Sequence, residues 1–418
     1  MTQDAQEFDI VIAGASYGGA HTAIGLRQAG FAGSIAMVGD EACPPYERPP
    51  LSKAHFMGKL ETERLWLRKD DFWPSQDIDL LTGLRVEAVD PQARRVTLSD
   101  GRPLRYGKLV WAAGARARRL TGAQPVHALR TLTDVAGIQA ALARTPAQPA
   151  HLAIIGAGYI GLELAAAART LGFGVTVAEA QPRVLARVTS PPVSQFYQGL
   201  HRRHGVMLEL GQPGTVVTEN GLSLADGREV AAQVIVAGIG VIANIEPLRD
   251  AGIVCDDVTG GVHVDAFCQT SDRHILALGD CATHPNPYAP SARPVRLESV
   301  PNAIEQAKVV VQSLTGARKA YDSLPWFWSD QYDTKLQTAG LAVDYDDIRE
   351  RRSDDGSSLS VGYWRGPCLV AIDTINRVAD FMAAKALITR RSPVDKALFS
   401  DPSVMLKNLM PNTAVQPA

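Results

Sequence analysis

The 418-residue chain has no apolar run long enough to cross a membrane as a helix. The longest, Val234 to Ile245, is broken by two glycines and an asparagine and falls short of the ~18 residues a span requires. Cysteine is scarce: five residues, at 43, 255, 268, 281 and 368, with no C-x-x-C pair and no His-Cys cluster at zinc spacing. That scatter excludes a disulfide framework, implies free thiols and gives no reason to expect a metal. Charge of either sign is not in excess. A net charge of −2 argues against nucleic acid as the main partner. The opening Met-Thr-Gln-Asp-Ala-Gln-Glu is polar and acidic, with neither the basic and apolar segments of a secretory signal nor the arginines of a transit peptide. The expectation is a cytoplasmic protein with no membrane partner. Solenoid repeats and low-complexity tracts are also missing, and 46% hydrophobic with 21% charged residues is ordinary globular composition at a length that predicts two or three domains.

What the chain does have is a glycine turn set between strands. Ile154-Ile-Gly156-Ala-Gly158-Tyr-Ile-Gly161-Leu-Glu163 runs from an apolar strand into a helix, and the next strand ends in the acid Glu179. This is the layout of a dinucleotide-binding βαβ unit. Gly156 makes the tight turn, Gly158 lets the backbone approach a pyrophosphate, and Gly161 allows close packing of helix on strand. Glu179 is placed to accept hydrogen bonds from a ribose. Glu163 points beyond binding, because it puts a carboxylate in the first turns of a helix that otherwise reads Leu-Ala-Ala-Ala-Ala; capping electrostatics is the competing explanation.

A second turn of the same kind stands near the start. The strand Phe8 to Ala13 leads into Gly14-Ala-Ser16-Tyr17-Gly18-Gly19 and a helix over 20–28, with Ser16 in place of the second glycine. The following strand brings Gly39 to the place where an acid is usual, so Asp40 is the choice for the ribose contact. Two dinucleotide units in one chain imply electron transfer between two bound dinucleotides. Further on, Pro44 to Lys53 is a proline-stiffened loop that delivers one lysine to a fixed place, with a helix start expected after Pro50. Residues 78–112 read as short strands around an Asp100-Gly101 turn, and 115–150 as an Arg-, Ala- and Pro-rich crossover. A helix is expected over 193–204, a strand pair around Asp226-Gly227, a strand ending at Asp280, and a helix from about Glu298 to Leu314. A hairpin across Arg365-Gly366-Pro367 and a helix over 379–388 follow.

These residues carry a resemblance over essentially the whole chain. Tyr46-Glu-Arg-Pro-Pro-Leu-Ser-Lys53, Leu129-Arg-Thr-Leu132, Gly158 to Glu163, Gly238-Ile-Gly240, Gly279-Asp-Cys-Ala282, Arg296 to Asn302 and Pro325-Trp-Phe-Trp-Ser-Asp-Gln-Tyr332 resemble the oxygenase-coupled, NADH-dependent ferredoxin reductases. The resemblance implies an α/β, glutathione-reductase-like fold: two Rossmann-type dinucleotide-binding domains and a mixed α+β C-terminal domain. The implied segments are a FAD domain over 1–114, a NAD domain over 115–245, a return to the FAD domain over 246–322, and a C-terminal domain over 323–418.

It further implies FAD contacts at Gly14, Ser16, Tyr17, Gly18, Gly19, Asp40, Arg48, Lys53, Val86, Ala113, Gly114, Arg130, Gly279, Asp280, Ser299 and Val300. NADH contacts are implied at Gly156, Gly158, Tyr159, Ile160, Gly161, Glu179, Gly238, Ile239 and Gly240. In this reading Lys53 pairs with Glu163 beside the flavin, Tyr159 gates the flavin face and Trp328 lies near the electron exit. The implied partner is an acidic 2Fe-2S ferredoxin serving a haem monooxygenase or a Rieske dioxygenase, docking on a basic face to which Arg68, Lys308, Lys335 and Lys407 are the candidates. Ser16, Ala113 and Ala243 depart from the family pattern. Two other readings compete: an NADH oxidase or disulfide-reductase-like flavoenzyme, and an apoptosis-inducing-factor-like redox binding protein. Against the disulfide reductase, the position three residues before Lys53 is Pro50 and not cysteine. Neither a transit peptide nor a basic surface favours the binding protein.

Overall fold

The computed structural model describes residues 5–145, 149–290 and 293–409. The chain forms two compact units, Met1–Arg48 with Thr62–Arg116 and Val241–Ser323, and Pro49–Glu61 with Ala117–Gly240 and Leu324–Ala418. The ends of the expected first and last segments, 1–4 and 410–418, lie outside the described residues.

In the first unit the strands Ile78–Thr82, Ile35–Gly39, Gln6–Ala13 and Pro103–Trp111 lie side by side, all parallel, and Ile275–Ala277 adds in parallel to the second half of Pro103–Trp111. Both faces of such a sheet must be covered. Ile10 and Ile12 enter one core with Ala20, Ala23 and Leu26 of the helix Tyr17–Gln28 and Val309 to Val311 of the helix Val300–Leu314, while Val11 and Ala13 enter the core of the opposite face. The two helices meet closely at Gly25, where a Cβ would lie 2.9 Å from a Val311 methyl.

The second unit is built on a five-stranded parallel sheet in the order Met207–Leu210, Gly174–Glu179, His151–Ile155, Val234–Ala237, Val126–His127. Its nucleotide-type helix is Tyr159–Thr170. Five antiparallel strands, in the order Trp326–Gln331, Thr334–Gly340, Cys368–Ile375, Leu359–Arg365 and Asp347–Arg352, form a second sheet backed by the helix Val378–Arg390.

One expectation is corrected here. The stretch 115–150, read as a connector, holds the helix Leu132–Arg144. Val135, Ile138 and Leu142 fall on one face and are buried. Thr131 Oγ1 accepts from Asp134 N while Asp134 returns a bond to Thr131 N, a capping box that starts the helix. The proline loop gives only a single 3₁₀ turn, Pro49–Ser52, rather than a longer helix.

Candidate functional site

The two glycine turns are shaped alike. A Cβ on Gly156 would lie 2.4 Å from Gly238 O, and one on Gly161 2.2 Å from Gly156 O, so bare glycine is required at both. A Cβ on Gly158 would meet nothing within 4 Å, and Gly158 caps its helix without a side-chain bond. The space beside Gly158 is therefore open, at a helix N-terminus whose first-turn N–H groups are the kind that hold a phosphate. In the first unit Gly14 and Gly19 are constrained in the same way, with contacts of 2.2 Å to Ala112 O and 1.9 Å to Gly14 O. Ser16 stands at the helix N-cap with no side-chain capping bond and instead accepts from Arg48 Nε at 3.3 Å. Both turns fit a dinucleotide pyrophosphate.

The remaining candidates of the first unit sit as follows. Arg48 is held by Glu41 at 2.7 Å and by Tyr46 Oη at 3.0 Å, Tyr17 stacks on His21, and Asp40 is exposed just past its strand. Val86 is buried at the start of its strand. Asn244 Nδ2 donates to Ala113 O and its N–H to Gly114 O. Gly279 N donates to Gln306 Oε1, Arg296 donates to Asp280 O, and Ser299 Oγ caps the helix that begins at Val300 by accepting from Asn302 N.

In the second unit Glu179 accepts from Ala157 N at 2.7 Å and Gln181 N at 2.8 Å, at the lip of the glycine turn. Ile160 is exposed beside it. Gly238 N donates to Ile155 O, Ile239 follows, and Gly240 takes a positive φ of 94°. Arg130 leads into the capped helix, its N–H donating to Asp134. Arg183, the cation nearest Glu179 in sequence, is committed elsewhere: its guanidinium donates to Thr189 O, Ser194 Oγ and Ala186 O.

The structure brings Lys53 and Glu163 together at 2.6 Å. Tyr159 and Glu163, one helical turn apart, share a face of their helix; Phe327 and Ser329, two apart, share a face of their strand. The two faces meet. Tyr159 packs on Phe327 at a centroid distance of 4.6 Å, and Ser329 Oγ donates to Glu163 Oε1 at 2.6 Å. From the other side the 3₁₀ turn supplies Ser52 Oγ, which donates to Oε2 at 2.5 Å next to the Lys53 ammonium. The Glu163 side chain is 2% exposed, so an ionised carboxylate there depends on all three donors. Burial raises the Tyr159 hydroxyl well above its usual range and keeps it protonated. Trp328 lies on the opposite side of its strand, against Trp326 at 5.5 Å, and Lys385 Nζ sits 5.0 Å over the Trp326 ring.

Sequence reasoning missed Ser52 and Ser329. Ser52 adjoins the lysine it supports. In Trp326–Gln331 the rings draw attention, yet Ser329 and Gln331 are the buried members and the three rings only half-buried. The period-two alternation that puts both polar residues on the Phe327 face was a usable signal.

Among the described residues no group of three or more His, Cys, Asp or Glu could hold a metal, and no helix is long and apolar enough to cross a membrane. All five cysteines are free, with burial pushing Cys43 up to about 11 and Cys281 up to about 12.

The sequence matches the family described as pyridine nucleotide-disulphide oxidoreductase over residues 8–307 and the one described as reductase C-terminal over 326–410. It is 43% identical to a ferredoxin–NAD(P)(+) reductase of a Sphingomonas species, covering 96% of this chain and 98% of that one. It is 41% identical to the ferredoxin reductase subunit of a 5,5'-dehydrodivanillate O-demethylase of a Sphingobium species, covering 96% and 98%. Among solved structures, the covalent putidaredoxin reductase–putidaredoxin complex matches with a TM-score of 0.89 and 40% identity, over 97% of this chain and 98% of that one. With two nucleotide turns, a lysine-acid pair and a C-terminal sheet in place, the chain belongs to the pyridine nucleotide-disulphide oxidoreductase family of FAD- and NAD(H)-dependent enzymes, with the glutathione-reductase-like fold.

Proposed function

We infer that the protein is an NADH:ferredoxin oxidoreductase that feeds a haem monooxygenase or a Rieske dioxygenase and works in the cytoplasm. FAD bound here would supply the acceptor for a hydride from NADH and the donor of single electrons to a 2Fe-2S ferredoxin. The observation that carries the reading is the Lys53–Glu163 pair, closed at 2.6 Å on a buried carboxylate, with Pro50 in place of the thiol that a disulfide reductase carries three residues before its flavin lysine. Residues 1–114 and 246–322 are assigned to the FAD domain, 115–245 to the NAD domain and 323–418 to the C-terminal domain.

The chain's own groups have distinct tasks. Gly14, Ser16, Tyr17, Gly18, Gly19, Asp40, Arg48, Val86, Ala113, Gly114, Arg130, Gly279, Asp280, Ser299 and Val300 hold FAD. Gly156, Gly158, Ile160, Gly161, Glu179, Gly238, Ile239 and Gly240 hold NADH. Lys53 offers a fixed positive charge to the flavin as it is reduced, and Glu163 fixes Lys53. Tyr159, protonated and braced by Phe327, would cover the flavin face until the nicotinamide arrives. Trp328 marks the electron exit.

The candidates for contact with an acidic ferredoxin are Arg68 and Lys308 in the first unit and Lys335 and Lys407 in the second. Lys308 is paired with Glu305 at 2.6 Å and Lys335 lies 4.0 Å from Asp330, whereas Lys407 is exposed with no ion pair among the described residues. The test is NADH-dependent reduction of a panel of 2Fe-2S ferredoxins across ionic strength, with ferricyanide as partner-free acceptor. Ferredoxin reduction that falls with salt while ferricyanide reduction does not is expected. Charge reversal at Lys308 and Lys407 that changed neither rate nor salt dependence would overturn the docking face.

A further inference from the structure

The bonds that hold Glu163 continue inward. Glu163 Oε1 accepts from Ser329 Oγ, Ser329 Oγ accepts from Gln331 Nε2 at 3.2 Å, and Gln331 Oε1 bonds His201 Nε2 at 2.8 Å. Ser329, Gln331 and His201 are at most 1% exposed, so no water competes for these bonds. His201 comes from the last turn of the helix Pro191–Arg203, and Ser329 and Gln331 from one face of the strand Trp326–Gln331.

The direction of the chain is fixed by proton counting. A carboxylate has no proton to give, so Ser329 donates to Glu163. Its own acceptor side is filled by the Gln331 amide NH₂, which leaves the Gln331 carbonyl to accept. His201 Nε2 must then carry the imidazole proton, and His201 Nδ1, buried without a partner, is the bare lone pair. Turning the amide over would move the proton to Nδ1, leaving an N–H buried with no acceptor. It would also present Ser329 with a carbonyl that competes with Glu163 for its only proton. One imidazole N–H thereby selects which way a serine hydroxyl points two residues along the chain of bonds.

We propose that His201 is a positioning residue for Glu163, acting through Gln331 and Ser329 to keep one hydroxyl donor on the carboxylate that holds Lys53. The proposal rests on the assignment of the Lys53–Glu163 pair to hydride transfer. His201 remains neutral through the working range, since burial pushes it down to about 4, against the opposing hydrogen bond it donates to Gln331. The titratable groups around the chain are Lys53 at the carboxylate, Tyr159 and Tyr197 with their hydroxyls held protonated by burial, Asp330 and Asp373 farther out, and His204 and Tyr332 beside His201.

The test compares His201→Leu with His201→Gln in the FAD-loaded protein. The side-chain Nε2 of glutamine can donate where the imidazole Nε2 does. Two readouts are taken: the ¹³C-carboxyl chemical shift of Glu163 at one fixed pH, which responds to the donors on the carboxylate and is assigned by its loss in Glu163→Gln, and the stopped-flow rate of hydride transfer from NADH. His201→Leu is expected to displace that signal, as loss of a well-aimed donor would, and to slow hydride transfer roughly tenfold. His201→Gln should restore both. Equal behaviour of the two variants, or a Glu163 signal unmoved by His201→Leu, overturns the proposal.

Should His201→Leu yield no folded protein, Gln331→Met replaces it, with the Glu163 signal expected to move there and to stay in place in His201→Gln; any other pattern overturns the proposal. If Lys53→Met left hydride transfer unchanged, the catalytic reading of the pair would fail while the Glu163 signal still decided the role of His201.

Discussion

Replacing Lys53 by methionine should destabilise the protein more than replacing Glu163 by glutamine, and the two replacements together should cost less than their sum. At 2.6 Å and an effective dielectric of about 20, the attraction between the two charges is on the order of 6 kcal/mol. Dehydrating a carboxylate that is 2% exposed offsets most of it. Lys53→Met leaves that carboxylate with Ser52 and Ser329 alone, so the loss belongs at the lower end of that for a broken buried pair, about 3 kcal/mol. Glu163→Gln strands an ammonium that is 19% exposed and can be hydrated in place, for about 1 kcal/mol. The double variant removes both charges and should regain about 1 to 3 kcal/mol of the summed loss. Urea unfolding of the four FAD-loaded proteins, followed by far-UV circular dichroism, measures the cycle, and stopped-flow reduction by NADH gives its kinetic counterpart. Losses that add to within about 0.5 kcal/mol would show that the two side chains are independent and refute the reasoning.

NADH is expected to be used in strong preference to NADPH, because Glu179 would repel a 2'-phosphate and the Arg183 guanidinium is turned toward Thr189, Ser194 and Ala186; comparable kcat/KM for the two coenzymes would contradict this. Cys43→Ser should leave NADH-dependent ferricyanide reduction intact, since burial holds that thiol protonated, and a loss of turnover would return the disulfide-reductase reading. Stability should depend on pH through Asp373, buried in a cluster where it accepts from Tyr363 Oη and Thr189 Oγ1 and which burial pushes up to about 6. The folded chain binds this proton more tightly than the unfolded one, so the contribution is full below the unfolded pKa and is lost as pH rises through about 6. The stability of the unchanged protein relative to Asp373→Asn should therefore fall by about 2 kcal/mol between about pH 4.5 and about pH 7.5; a constant difference would contradict it.

The parts of the protein legible in its sequence are those whose chemistry is local. A glycine forced by a neighbouring carbonyl, as at Gly14 and Gly156, leaves a mark in the residues beside it, and so does an acid at the end of the next strand. Lys53 and Glu163 were legible for another reason: each is the wrong residue for its surroundings, a lysine after prolines and an acid among alanines. Ser52, Ser329, Gln331 and His201 are unremarkable where they stand, and only tertiary contact gives them partners. The helix Leu132–Arg144 was hidden by composition, because its alanines suit buried and exposed surroundings alike and the Arg- and Pro-bearing stretches that flank it read as a connector.

The Glu163 site also has a schedule. Its two serine donors come from 111 residues before it and 166 residues after it in the chain. A ribosome that has released the parallel sheet of the second unit has made Glu163 and Ser52, but not Ser329. Until the last sheet is synthesised and paired, the acid lacks one of the donors that surround it in the finished fold. The contact is among the most distant in sequence and so among the slowest to form. The completed set of donors on Glu163 thus marks the docking of the final sheet.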